Sequence, residues 1–254
     1  MQYTKFLRGV LLAGLALVFL IPFIVADGHL FPQFFFLFIT GKNFAFRILI
    51  ELLFGMYIVL AAREPEYRPK ASWVMWAAGA FVLWVGVSTG LSVDPIKSFW
   101  SNFERMEGYI TVLHLFAYFL MLGAMLNTKK LWERFFQFSI AASTLQALYG
   151  LGQLLHIAGL TPSSQSGPRL DGTFGNATYL AVFMLFNVFI TLFMLVRQRR
   201  SVQLQAVYGV ALVLQFSVLF FTQTRGALLG ALGGLCIAGV YIAWRATAPE
   251  WRTL

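Results

Sequence analysis

Eight stretches of this chain are apolar for long enough to decide its fold class: residues 10–25, 44–62, 73–89, 109–126, 135–157, 179–196, 206–221 and 227–244. A run of about twenty apolar residues matches the hydrocarbon thickness of a bilayer. With no water there to satisfy the backbone, only a helix or a closed barrel can occupy that space. The runs are continuous rather than alternating, which excludes a β-barrel. The expectation is an all-α, polytopic bundle of about eight transmembrane helices, with 1–254 forming a single transmembrane domain. Composition agrees: 11% of the 254 residues are charged, where a soluble domain carries about a quarter.

The net charge of +9 follows a membrane rather than a nucleic acid. With the amino terminus in the cytoplasm, the inner segments hold Lys5 and Arg8; Arg63, Arg68 and Lys70; Lys129, Lys130 and Arg134; Arg197, Arg199 and Arg200; Arg245 and Arg252. That is 13 of 19 basic residues, the bias that orientation in a membrane requires, and it places both termini in the cytoplasm. Lys5 and Arg8 before an apolar run look like a signal peptide, but the small-x-small pattern is poor around Ala26-Asp27-Gly28, so the run reads as an uncleaved first helix. Residues 27–42 are rich in Phe (Phe31, Phe34, Phe35, Phe36, Phe38), too short for a span and suited to the interface. The one cysteine, Cys236, lies in an apolar run, so no internal disulfide is possible.

Six basic residues oppose the orientation bias: Lys42, Arg47, Lys97, Arg105, Arg169 and Arg225. The four arginines lie near helix ends, where a guanidinium offers a planar fork to phosphate and is costly unless paired. The structural alternative is a local pair for three of them: Arg47 with Glu51 one turn on, Arg105 with Glu104 or Glu107, and Arg169 with Asp171. Arg225 has no acidic neighbour in sequence. In the Arg169 loop, Gly172 and Gly175 permit tight turns, and Asn176 or Thr178 caps the next helix, whose start favours an anion. A plain Gly-Asn turn with a cap is the structural alternative. The two cationic turns, Arg169–Asn176 and Thr222–Gly226, are thus candidates for binding an anionic, lipid-linked substrate. Gly226, Gly230 and Gly234 suit close helix packing.

His29, His114 and His156 read as structural. No Ser-His-Asp spacing, metal-ligand cluster or Walker loop occurs, so no catalytic residue, metal or cofactor is assigned. Around Trp100, residues 92–108 mix aromatic with charged side chains, which suits sugar contact or an interfacial helix.

Several residues together resemble the O-antigen ligase and polymerase superfamily of bacterial envelopes: Ser98-Phe99-Trp100 with Glu104-Arg105-Met106-Glu107-Gly108, Gly172-Thr173-Phe174-Gly175-Asn176, Thr224-Arg225-Gly226-Ala227, and Phe31-Pro32 with Thr40-Gly41-Lys42. The resemblance covers nearly the whole chain. It implies a multi-pass transferase of the bacterial inner membrane, GT-C-like, with its active face periplasmic. Such a protein passes a glycan from undecaprenyl diphosphate to the hydroxyl of an acceptor lipid, polymer or protein. Arg169 and Arg225 match the arginines that hold the diphosphate, with Arg47, Arg105, Asp171, Gly172, Gly175 and Asn176 in support and Trp100 against the glycan. The family continues through further spans and a periplasmic loop bearing a histidine, without counterpart here, so the resemblance implies an amino-terminal part, either of a truncated reading frame or of a split gene whose other half is a second chain. A small-anion transporter and a non-catalytic membrane fragment or scaffold are the alternatives; nucleic acid is not an expected partner.

Overall fold

The computed structural model of the protein describes residues 2–26, 34, 36–103, 105–160, 163, 169–198 and 201–246. It is 80% helix, with no strand among the described residues. The helices are α1 (Gln2–Leu17, continued by a 3-10 segment Val18–Phe23), α2 (Thr40–Arg63), α3 (Trp73–Gly90), α4 (Pro95–Trp100), α5 (Tyr109–Met125), α6 (Lys129–Leu154), α7 (Ala177–Arg197), α8 (Val202–Phe221) and α9 (Arg225–Ala246). Their starts follow local chemistry. Ser72, Asp94 and Ser201 accept the backbone N–H of Met75, Lys97 and Leu204, which satisfies amides that a helix leaves unpaired at its first turn.

Five of these helices are long and apolar enough to cross a membrane: Tyr3–Phe23, Thr40–Arg63, Trp73–Gly90, Ala177–Arg197 and Val202–Phe221. Tyr109–Met125 and Arg225–Tyr241 are apolar but shorter. Helix α6 has 26 residues but opens on Lys129, Lys130, Glu133 and Arg134 and then carries a line of Ser and Gln. By length and composition the helices thus give five spans where the sequence suggests eight.

The chain divides into two compact units, Met1–Phe138 and Ser139–Leu254. In the first, Leu7, Leu11 and Leu15 of α1 pack with Ile50, Leu53, Tyr57 and Leu60 of α2 and with Met121 and Met125 of α5. At one end of this unit Arg8 lies over the Tyr67 ring at 5.8 Å and Arg63 over Tyr3 at 5.3 Å, while Arg68 Nε donates to Ala61 O at 3.1 Å. Arg8, Arg63 and Arg68 are thus all engaged with α1, α2 or the segment that follows α2.

In the second unit α7 and α8 form an antiparallel hairpin, and α9 lies against α7 through Ala227 and Ala231. Of the three spaced glycines, Gly234 abuts the Phe189 ring and Gly230 comes to Leu185, whereas Gly226 has open space. Gly234→Val is expected to destabilise the protein by about 1–3 kcal/mol through overpacking. Gly226→Ala should not, and thermal unfolding of both variants in detergent checks this.

One face of α6 is polar and buried. Ser139, Ser143, Gln146 and Gln153 recur at helical spacing. Ser139 Oγ donates to Asn187 Oδ1 at 2.7 Å, Gln215 Nε2 to Ser143 Oγ at 2.8 Å, and Thr191 Oγ1 to Gln215 Oε1 at 2.9 Å. Such bonds hold helices together where apolar faces alone have no preference between each other and lipid.

Candidate anion-binding site

The site of interest lies where α8 gives way to α9. Thr222 ends α8 with its hydroxyl on Leu219 O at 2.7 Å. Gln223 turns the chain at φ 52°, and α9 starts at Arg225 with Leu228 N–H on Thr224 O. Against this turn runs the start of the other cationic loop. Leu170 N–H donates to Phe221 O at 3.2 Å, Arg169 Nε to Thr222 O at 2.9 Å, and Thr224 Oγ1 to Ala177 O at 3.5 Å. The two cationic turns, joined here by residues 53 apart in sequence, are thereby laced side by side.

The interior of the loop is held by α6. Asp171 does not pair with Arg169; it is buried, and its Oδ1 accepts Gln153 Nε2 at 3.3 Å. Gln153 Oε1 in turn accepts the Gly172 N–H at 2.9 Å, and Thr173 Oγ1 donates to Gln146 Oε1 at 3.0 Å. Gly172 has φ 56°, and a Cβ there would run into the Gln146 amide. Gly172→Ala therefore meets both a left-handed backbone penalty and a collision. It is expected to lower stability by about 1–3 kcal/mol, read as a fall in unfolding temperature. Gly175, at φ 64°, makes the next left-handed turn, and Asn176 Oδ1 accepts Thr178 N–H at 2.8 Å to cap α7.

The result is an arrangement suited to an anion. Arg169 is half-buried with its fork oriented through Nε, and Arg225 is exposed. Among the described residues nothing engages the terminal nitrogens of Arg169 or the guanidinium of Arg225. Helices α7 and α9 both begin here, so two positive dipole ends add to the two guanidiniums.

The remaining expected residues belong to the first unit. Arg47 Nη2 donates to Met106 O and, at 3.0 Å, to Thr111 Oγ1. It does not form the expected pair with Glu51, whose Oε1 lies 3.0 Å from His114 Nε2. The cause is tertiary: α5 brings the His114 imidazole to the carboxylate and the Thr111 hydroxyl to the guanidinium, and the loop before it brings the Met106 carbonyl. Arg47 thus braces the loop that carries Arg105, whose carbonyl accepts Asn43 Nδ2 and whose N–H donates to Asn102 Oδ1 at 2.9 Å. No ion pair joins Arg105 to Glu107 among the described residues, and Glu104 lies outside them. Trp100 ends α4, 48% exposed, with the Phe99 ring edge-on at 5.0 Å. Gly108 is needed here because a Cβ would collide with Phe99 O. Phe31, Pro32 and His29 lie outside the described residues; Lys42 Nζ donates to Phe38 O at 2.9 Å.

Gln146 and Gln153 are the site residues that sequence reasoning missed; their seven-residue spacing on one face of α6, in register with Ser139 and Ser143, was the signal for them. No group of three metal-ligating side chains occurs among the described residues. No protein-family model, curated protein or solved structure matches the chain.

Proposed function

We propose that the Arg169 loop and the Arg225 turn hold the diphosphate of a lipid-linked glycan. In this reading the protein is an O-antigen ligase-like transferase of a bacterial inner membrane. It would cross the membrane about eight times in a GT-C-like arrangement, with the two turns on the periplasmic face and both termini in the cytoplasm. The acceptor hydroxyl attacks the anomeric carbon and gives up its proton to water, and the bond from that carbon to the undecaprenyl diphosphate breaks. The electron pair passes to the departing diphosphate oxygen, and preorganised cations there lower the barrier. The observation that carries the reading is the hydrogen bond of Arg169 Nε to Thr222 O, which ties the Arg169 loop to the turn that carries the exposed Arg225.

The direct test is binding of undecaprenyl diphosphate to the purified protein in lipid nanodiscs. Saturable binding that inorganic diphosphate displaces, and that undecaprenol does not match, supports the proposal. Equal binding of diphosphate and alcohol would sink it. A small-anion transporter is the second reading, favoured by one observation: the Glu51–His114 pair inside α2 and α5. Anion flux in proteoliposomes, lost on Glu51→Gln, would carry that reading instead.

A further inference from the structure

The Glu51–His114 pair belongs to neither cationic turn, and its geometry fixes a proton count. His114 Nδ1 lies 2.7 Å from Ile110 O. A carbonyl only accepts, so Nδ1 carries a hydrogen. On the other side of the ring, Nε2 lies 3.0 Å from Glu51 Oε1. A neutral imidazole protonated at Nδ1 presents a lone pair at Nε2, and an ionised carboxylate presents only lone pairs. Those two would repel, so contact at this distance requires one further proton on the line between them. Imidazolium with carboxylate and imidazole with carboxylic acid both satisfy this, and as a pair both are neutral.

The position of the pair gives that proton meaning. Glu51 is the twelfth of 24 residues in α2, so where α2 crosses a membrane it lies near mid-span. His114 is 8% exposed, whereas the Glu51 side chain is 66% exposed, among the exposed apolar Ile48, Leu52 and Leu115. A net charge held there is expensive, which is why ionisable groups inside membranes are paired and mark function. The elements packed on the pair bring few other charges. Helix α3 has no titratable side chain, α4 carries Lys97, α5 adds Tyr109 and Tyr118, and the cations of α1 lie at its start, with Arg8 beside Tyr67. Arg47, one turn before Glu51, is committed by hydrogen bonds to Met106 and Thr111.

We propose that Glu51 and His114 form a proton-binding site inside the membrane, holding one shared proton on the Oε1–Nε2 axis and presenting the carboxyl to the apolar exterior of the first unit. The inference rests on α2 being a span and is independent of the diphosphate reading. A proton-bearing carboxyl open to an apolar phase has a distinctive reactivity. Its oxygen adds to the central carbon of a lipid-soluble carbodiimide while the shared proton moves to a carbodiimide nitrogen, and the adduct rearranges to a stable N-acylurea.

The test uses the full chain in lipid bilayers, treated with dicyclohexylcarbodiimide and mapped by mass spectrometry, alongside nitrogen-15 spectra of the His114 ring at neutral pH. The expected result is label on Glu51 and not on Glu64, Glu66 or Glu107, lost in Glu51→Gln, with both ring nitrogens of His114 hydrogen-bonded through protons. In Glu51→Gln the amide donates instead, and Nε2 becomes a plain acceptor. A bare lone pair at Nε2 in the unaltered protein would overturn the shared proton. Labelling of Glu64, Glu66 or Glu107 without Glu51 would overturn the open carboxyl.

Discussion

Replacing Arg169 and Arg225 together by alanine is expected to weaken binding of undecaprenyl diphosphate by about 10²- to 10⁴-fold, from about 1.5–3 kcal/mol for each charged hydrogen-bonding partner removed. The single variants should differ in kind. Arg225 is exposed and has no other described partner, so Arg225→Ala removes ligand contact and little else. Arg169 also ties the two turns together through Thr222 O, so Arg169→Ala loosens the site as well as stripping it of charge. Lysine separates these roles. A single ammonium at position 225 can still meet an oxygen of the diphosphate. At position 169 it has no Nε to anchor while a fork faces the ligand, so Arg169→Lys should lose most of the binding and Arg225→Lys less. Titration calorimetry in nanodiscs reads the double variant and the four single ones. Binding should also weaken with added salt, since the contact is ionic and close to solvent. A double variant that binds like the unaltered protein ends the diphosphate proposal.

Gln153→Leu is expected to be the most damaging single change in the second unit, lowering stability by about 2–5 kcal/mol. Its amide accepts the Gly172 N–H and donates to Asp171, and both partners are buried. Leucine leaves a buried N–H and a carboxylate each short of a partner, at about 1–3 kcal/mol apiece and more for the charged group. Gln153→Glu tests the donor half alone, because a carboxylate still accepts the Gly172 N–H but opposes Asp171. Chemical unfolding in detergent should rank the unaltered protein above Gln153→Glu, and place Gln153→Leu well below the unaltered protein. Equal stability of Gln153→Leu would mean that the loop is held by other contacts.

What could be read from the sequence was governed by range. Apolar run length is a local property, and each of the eight stretches falls within helix over most of its length, although the criteria of length and apolarity admit five. The turns at Gly172 and Gly175 and the Asn176 cap were legible for the same reason: glycine and asparagine act through their own backbone. Partners of charged side chains were not. Arg47 and Glu51 stand one turn apart, a spacing that favours a pair, yet each finds its partner on the segment from Met106 to His114, some sixty residues away. Likewise Arg169 passes over Asp171, two residues on, for a carbonyl at the end of α8. A spacing of three or four residues is worth only about 0.2–0.5 kcal/mol, less than a well-aligned bond to a buried group supplied by the fold.

The polar face of α6 has a consequence for how the chain is made. A segment that opens on Lys129, Lys130, Glu133 and Arg134 and continues with Ser139, Ser143 and Gln146 is a weak signal for release from a translocation channel into lipid. The groups that answer its serines, Asn187 on α7 and Gln215 on α8, emerge from the ribosome about fifty to seventy residues later. Residence of α6 at the channel until that hairpin arrives would let the three helices leave together, with their polar faces already joined. Synthesis of this half of the protein would then be ordered by hydrogen bonding rather than by hydrophobicity, and shortening the chain before α8 would strand α6 in water.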